Sequence, residues 1–289
     1  MFVEKFIQHA RHIEVQAFGD GRGQVLTIGE RDCSCQRRNQ KVVEECPAPN
    51  LDFDSRQSLH EWSERLLAGV GYQSAGTVEY ILDIDTGNFY FLEVNTRLQV
   101  EHGVTEEVFG IDIVKWMLVL AFESADKPSL DLNKERERLK VRGHSIEVRV
   151  YAEDPYLNFR PASDQLTEVD FYRGGDKENV RVETWIEAGI HVPPDFDPLL
   201  AKLIVHTKFR MESLSLLLKV VKNSKVYGCE NNLDYLELLL EDNLLKAGEV
   251  TTSYLDDFAY EPARIDVVSG GAQTTVQNLP GRTGHWSVG

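Results

Sequence analysis

Nine consecutive residues, Glu93-Val-Asn-Thr-Arg-Leu-Gln-Val-Glu101, alternate polar and apolar without a break. Side chains at i, i+2 and i+4 of an extended strand share one face, so the pattern predicts a strand lying between core and solvent. Glu93, Asn95, Arg97, Gln99 and Glu101 then form a row of carboxylate, amide, guanidinium, amide and carboxylate. Val94, Thr96, Leu98 and Val100 face the core. Such a row could hold a metal, an anion and a proton acceptor within one site. From spacing alone, the solvated face of an amphipathic strand is the simpler reading.

A second strand upstream bears on the choice. "AGTVEYILD" (75–83) and "NFYFLEVN" (88–95) flank a turn around Thr86-Gly87 and predict an antiparallel pair. Opposed residues of such a pair point to the same side, and centring on Thr86 sets Glu79 against Glu93. That register needs an odd-length or bulged connection. Two opposed carboxylates repel unless a positive group lies between them. A Mg²⁺ ion held by carboxylate and amide oxygens suits the position, with Asn95 as a third donor; a pair drawn apart by solvent suits it as well. "RDCSCQRRNQKVVEE" gathers Arg37, Arg38 and Lys41 around Gln36 and Asn39. This is an anion site or a solvated loop neutralised by Glu44 and Glu45. His12 lies in an alternating strand, and Arg149 shares a strand face with Glu147 and Tyr151, where an ordinary ion pair accounts for it.

Composition narrows the partners. The chain has 289 residues, 47 acidic against 31 basic, for a net charge of -16. That disfavours nucleic acid and anionic membranes, which select for Lys/Arg surfaces, but allows a phosphate ligand held by a local cluster. Cys33, Cys35, Cys46 and Cys229 lack zinc-ligand spacing, so free thiols in a reducing compartment are expected. The strongest apolar run, Trp116 to Phe122, is too short to cross a bilayer, and no basic-then-apolar leader precedes it. A soluble, cytoplasmic protein is the expectation.

The first part reads as a hairpin, "RHIEVQAF" (11–18) and "QVLTIGE" (24–30) across "GDGRG", then a helix over "SRQSLHEWSERLLAGVGY". In that helix Leu59, Trp62, Leu66 and Val70 are spaced for one buried face. "IDIVKWMLVLAFE" (111–123) is apolar nearly all round and predicts a buried helix. A charged stretch containing "NKERERLK" follows as a connector or surface helix. A second unit from Gly143 holds the strands "HSIEVRVYAEDP", "VRVETWIEAG" and "AKLIVHT", closed by the helices "MESLSLLLKVVKN" and "NLDYLELLLEDNLL".

"EKFI", "RHIEVQ", "ERDCSCQRRNQKVVEECPAP", "AGTVEY" and "FLEVNTRLQVEHGVTE" resemble, in order, the ATP-grasp portion of biotin carboxylases. "RGHSIEVRVYAEDP" through "FDPLLAKLIVH" resembles the C-terminal domain of the same enzymes. The match runs from about residue 2 to residue 248. Within the family, Gly103 after "VEH" and the tail "SGGAQTTVQNLPGRTGHWSVG" resemble urea carboxylases and urea amidolyases, most of the rest having proline at the first position. The resemblance implies an α+β chain. The C-terminal part of an ATP-grasp domain, an antiparallel sheet with helices, would occupy 1–125. A connector (126–142) leads to the biotin carboxylase C-terminal domain (143–248), and 249–289 begin a carboxyltransferase region.

The resemblance also assigns roles. Glu4, Lys5, Phe6 and Ile7 would line the adenine side, with His12 and Gln36 near the nucleotide. Glu79, Glu93 and Asn95 would hold Mg²⁺ or Mn²⁺ bridging ATP phosphates, the two glutamates thereby contributing to ATP binding. Lys41, Arg97, Gln99 and the backbone of Val100 would position bicarbonate. Glu101 would be the base and Arg149 would stabilise the enolate-like form of biotin. The implied reaction is ATP-dependent carboxylation of biotin, the first half of urea carboxylation to allophanate. The alternatives are a non-catalytic nucleotide- or partner-binding remnant, or the same portion of another acyl or amide carboxylase. Implied partners are bicarbonate, a biotin carrier domain, the carboxyltransferase region and a second copy of the chain. Asn39 departs from the family histidine: it can hydrogen-bond but cannot titrate near neutrality, and is kept as a nucleotide contact. The family's preceding nucleotide-fold domain and glycine-rich lid, and its biotin-bearing lysine, are not in these residues. The expectation is that both ends are cut and that the segment alone does not cleave ATP.

Overall fold

The computed structural model describes residues 3, 5–122, 130–174, 178–260, 265–269 and 272–276. They form two compact units. The first comprises Met1–Glu147 with Val205–Ser213 and Ala247–Asp256, and the second comprises Val148–Ile204, Leu214–Lys246 and Asp257–Gly289.

The first unit is built on five antiparallel strands. These are β1 (Ala10–Asp20), β2 (Val25–Arg37), β3 (Gln40–Cys46), β4 (Gln73–Asp83) and β5 (Asn88–Asn95), side by side in the order β3-β2-β1-β4-β5. The turn between β1 and β2 is closed by Asp20 Oδ1, which accepts from the amides of Arg22 (2.7 Å) and Gln24 (3.0 Å). Arg38 and Asn39 join β2 to β3 with φ of 51° and 64°. A two-residue hairpin needs this left-handed backbone, which asparagine tolerates better than most residues. Gly19 is required where β1 passes Tyr72, whose carbonyl oxygen would lie 2.1 Å from an added Cβ.

Alternation divides β1 and β4 between two environments. Ile13, Val15 and Ala17 on β1 join Val78, Tyr80 and Leu82 on β4 in an apolar cluster. Helix α1 (Phe53–Gly69) covers it, capped by Asp52, whose side chain accepts from Ser55 N. The opposite face carries His12, Glu14 and Gln16 from β1 and Thr77 and Glu79 from β4. Towards one end it continues into a second cluster of Phe18, Ala75, Leu26, Ile28, Ile113, Trp116 and Leu120.

Two helix faces differ from expectation. On α1 the buried residues are Leu59, Ser63 and Leu67, while Trp62 and Leu66 are 40% exposed and Val70 71%. A serine belongs to the buried stripe because its hydroxyl donates to Leu59 O (2.7 Å) and meets Tyr80 Oη at 2.9 Å, leaving no unpaired polar group in the core. Ser63→Ala is accordingly expected to cost about 1–2 kcal/mol and Val70→Ala less than about 0.5 kcal/mol, read by denaturant melts. The short α2 (His102–Phe109) precedes α3 (Ile113–Phe122), which buries only Ile113, Trp116 and Leu120 and exposes Val114, Leu118 and Phe122. Only one side of α3 meets the apolar cluster, so uniform apolarity does not bury it on all sides. The charged stretch forms α4 (Leu132–Arg138), capped by Asp131.

The second unit takes in the end of β6 (His144–Tyr151), which starts in the first, and runs through the paired β7 (Glu153–Asp154) and β8 (Arg160–Pro161) to β9 (Glu168–Asp170) and β10 (Val180–Thr184). The second unit continues with β11 (Leu199–Thr207), which ends in the first, α5 (Arg210–Asn223), which starts there, β12 (Lys225–Tyr227), which pairs with β9, and α6 (Leu233–Glu241). Buried Val150, Leu200, Leu203, Leu217, Leu236 and Leu239 supply its core. A short α7 (Asn243–Ala247) and α8 (Tyr254–Asp257) precede a hairpin of β13 (Ile265–Ser269) and β14 (Ala272–Val276). Among the described residues no helix is long and apolar enough to cross a membrane.

Candidate active site

Sheet register assembles the chemistry. Glu14 pairs with Arg31 across β1–β2 and with Glu79 across β1–β4, and Glu79 pairs with Glu93 across β4–β5. One transverse row therefore reads Arg31, Glu14, Glu79, Glu93. The expected opposition of Glu79 and Glu93 holds. Its cause is a bulge inside β5 beside Glu79/Tyr80, which corrects the register set by the Asp83–Asn88 turn. An extra residue on one strand shifts side-chain alternation by one, so Glu93 returns to the face that the turn alone would deny it.

The nine-residue strand is only partly formed. β5 ends at Asn95, residues 96–100 are irregular and Glu101 caps α2. Period-two spacing does not distinguish a continuing strand from a chain turning into a helix. Gln99 and Glu101 nevertheless reach the row, both buried. Gln99 Nε2 donates to Glu79 Oε1 at 2.7 Å and Glu101 pairs with Lys41. Arg97 does not join them: it is exposed, with Nη1 3.3 Å from Leu98 O. Leu98 is half-buried against the second apolar cluster rather than fully enclosed.

Glu14 and Glu79 on adjacent strands and Glu101 at the start of α2 would repel, and two cations offset them. Lys41 Nζ, from β3, lies 2.6 Å from Glu14 Oε2 and 3.5 Å from Glu79 Oε1, and also pairs with Glu101. Arg31 Nε donates to Glu14 Oε1 at 2.5 Å. Burial would raise the Glu14 carboxyl, yet Arg31 and Lys41 hold it down at about 2. Glu79 is likewise held down at about 2 against burial, by the His12 hydrogen bond and by Lys41. Burial opposes the Lys41 charge, but Cys33, Glu14, Glu101 and Glu79 raise its pKa above the ordinary lysine range. The Cys33 thiol is itself pushed well up by burial and then by Glu14. It is therefore neutral near pH 7, and the carboxylates sustain the ammonium.

Glu79 is the hub. Besides Gln99 and Lys41 it accepts from Asn95 Nδ2 (2.8 Å) on Oε1 and faces His12 Nε2 (3.0 Å) on Oε2. Asn95 Nδ2 also donates to Glu93 Oε1 at 3.1 Å, so one amide bridges the two opposed carboxylates. This donor set suits a hard cation, which takes carboxylate and amide oxygens; the Asn95 amide would have to turn its oxygen inward to contribute. Two other groupings, His12/Glu14/Glu79 and Glu14/Cys33/Glu101, bring ligand atoms within 4.8 Å. Lys41 already neutralises Glu14, common to both.

The other expected residues are spread out. Gln36 is buried on β2 and Asn39 is exposed in the hairpin turn. Lys5 Nζ donates to Tyr90 Oη at 2.7 Å, Phe6 is 86% exposed and Ile7 is half-buried; Glu4 lies outside the described residues. Val100 is half-buried. In the second unit Arg149 is buried on β6, Nη1 3.4 Å from Tyr151 Oη, with Asn232 Nδ2 donating to its carbonyl at 3.0 Å. Glu14, Gln16 and Arg31 were not anticipated from sequence. The signal for Glu14 and Gln16 is their alternation with His12 on β1, the same pattern as in 93–101. A cleft of about 410 Å³ beside Trp62, Tyr80 and Phe91 lies on the α1 face, among apolar side chains and away from the charged row.

Residues 1–125 match the family model "Carbamoyl-phosphate synthase L chain, ATP binding domain", and residues 147–257 match "Biotin carboxylase C-terminal domain". Urea amidolyase of Saccharomyces cerevisiae is 46% identical over 289 residues, all of this chain and 15% of that protein. The crystal structure of Kluyveromyces lactis urea carboxylase superposes with a TM-score of 0.80 at 47% identity, over 96% of this chain and 24% of that one. The biotin carboxylase domain dimer of Hydrogenobacter thermophilus 2-oxoglutarate carboxylase, solved with MgADP and bicarbonate, gives 0.80 at 36% identity, over 89% of this chain and 56% of that one.

Proposed function

The chain belongs to the biotin carboxylase family, and we propose that it carries the ATP-dependent, bicarbonate-using half of a urea carboxylase. The observation that supports this most is the Lys41–Glu14–Glu79–Glu101 cluster with Gln99 tied to Glu79. In it a cation (Lys41), a candidate metal carboxylate (Glu79) and a candidate base (Glu101) lie side by side. Glu79, Glu93 and Asn95 would hold Mg²⁺ or Mn²⁺, which supplies charge neutralisation to the ATP phosphates. Lys41, Arg97, Gln99 and the backbone of Val100 would bind bicarbonate, and Glu101 would take the bicarbonate proton so that a bicarbonate oxygen attacks the terminal phosphoryl group of ATP and ADP leaves. His12 and Gln36 would approach the nucleotide, with Lys5, Phe6 and Ile7 on the adenine side and Asn39 near the hairpin turn. Biotin, when bound, supplies the ureido nitrogen that takes up the carboxyl group, with Arg149 countering the charge on its oxygen. Urea, giving allophanate, is the acceptor supported by relatives that match over nearly the whole chain, among them the Saccharomyces cerevisiae urea amidolyase and the Kluyveromyces lactis urea carboxylase.

A biotin carrier domain and a carboxyltransferase region would be the partners, with a homodimer as the proposed assembly. Four buried free thiols support a cytoplasmic setting. The test is biotin-dependent ATP cleavage by the full-length polypeptide, with Mg²⁺ varied. Glu79→Gln and Glu93→Gln should each raise the Mg²⁺ needed for half-maximal rate by about tenfold or more, since each removes a charged ligand. Unchanged Mg²⁺ dependence in both would remove the metal assignment.

A further inference from the structure

We propose that Arg31 is a positioning residue: it fixes the Gln99 amide, and through it the 96–100 loop, in register with Glu79. The inference rests on the reading of that loop as the bicarbonate site. Arg31 has no exposed side-chain surface. Its Nε is spent on Glu14, Nη1 donates to Gln16 Oε1 (2.8 Å) and Thr105 Oγ1 (2.9 Å), and Nη2 donates to Gln99 Oε1 at 3.1 Å. A second Nη2 contact, to Thr77 Oγ1, is long at 3.4 Å. The guanidinium thus ties β1, β2 and α2 to a loop that has no ladder of its own.

Gln99 is the one buried residue of that loop, and both ends of its amide are engaged. Arg31 offers only donors, so Gln99 must present Oε1 to it and Nε2 to Glu79; the flipped amide would set donor against donor and acceptor against acceptor. Arg31 therefore sets the amide's polarity. Its neighbours in the loop, Arg97 and Val100, are the groups assigned to the anion, and they depend on this anchor. Lysine would preserve a countercharge for Glu14 but lacks the planar fork that reaches Glu14, Thr105 and Gln99 together.

The experiment compares Arg31→Lys, Gln99→Ala and the double variant in the full-length polypeptide, with bicarbonate and ATP varied separately. Each single variant is expected to raise the bicarbonate KM by about 10- to 100-fold, the loss associated with a hydrogen bond to a charged group, with a smaller change in kcat. The double variant should be no worse than Gln99→Ala alone. Multiplicative effects, or a lowered kcat at unchanged KM, would overturn the proposal. Should Arg31→Lys not fold, Gln99→Asn serves: it keeps the amide but withdraws it from Arg31, and should match Gln99→Ala. A bicarbonate KM near wild type in Gln99→Asn overturns the proposal as well. Absence of bicarbonate-dependent ATP cleavage in the wild type would instead reject the underlying reaction, which separates the two failures.

Discussion

Glu101→Gln in the full-length polypeptide is expected to lower bicarbonate-dependent ATP cleavage by about 10²–10⁴-fold, the usual worth of a positioned acid–base group. The substitution is nearly isosteric at a buried position, so no cavity opens. Lys41 keeps its pairing with Glu14, so its charge is not stranded. Glu101 makes no side-chain cap bond to α2, and the helix start is unaffected. The loss should therefore appear in turnover with little change in melting temperature. Arg97→Ala should also impair turnover without loss of fold, because Arg97 is exposed. Rate and thermal melting measured on both variants decide the matter. Wild-type turnover in a folded Glu101→Gln protein would leave that residue as no more than an ion-pair partner of Lys41.

Most strands were legible because alternation and turn chemistry agree along the first unit. "RHIEVQAF" alternates, "AGTVEYILD" and "NFYFLEVN" are rich in β-branched and aromatic residues, all three are bounded by Gly, Asp or Asn, and each forms the expected strand. The path after Asn95 was not legible, because the polar residues at 97, 99 and 101 fit a strand as well as a loop running into a helix cap. The buried face of α1 was misjudged because apolar spacing cannot reveal that Ser63 is satisfied by Leu59 O and Tyr80 Oη. Arg31 escaped notice for a related reason. Its significance lies in register with Glu14 and in contacts with Gln16, Thr105 and Gln99, and nothing local in "GERDCS" discloses them. The roles of Lys41, Glu79 and Glu101 came from family resemblance, and geometry then showed that they meet.

Glu45 tests stability apart from chemistry. On β3 it accepts from Arg210 Nε (2.6 Å) and Nη2 (2.9 Å) and faces His144 Nε2 at 2.7 Å, within the first unit. Removing one member of a buried ionic group leaves the others uncompensated, so Glu45→Ala is expected to cost about 3–5 kcal/mol at neutral pH. Burial alone would raise this carboxyl, but the hydrogen bonds from His144 and Arg210 hold it below the ordinary glutamate range. A depressed folded-state pKa contributes stability that is present above the unfolded value, near 4.3 for a free glutamate, and is lost as pH falls through the folded value. The stability difference between wild type and Glu45→Gln should therefore be greatest near neutrality and shrink as acid converts the wild-type carboxyl into a neutral group. Denaturant melts of both proteins at stepped pH measure it directly. A difference that stays constant from pH 7 to pH 3 would show that the Glu45 charge does not contribute to holding β3 to Arg210.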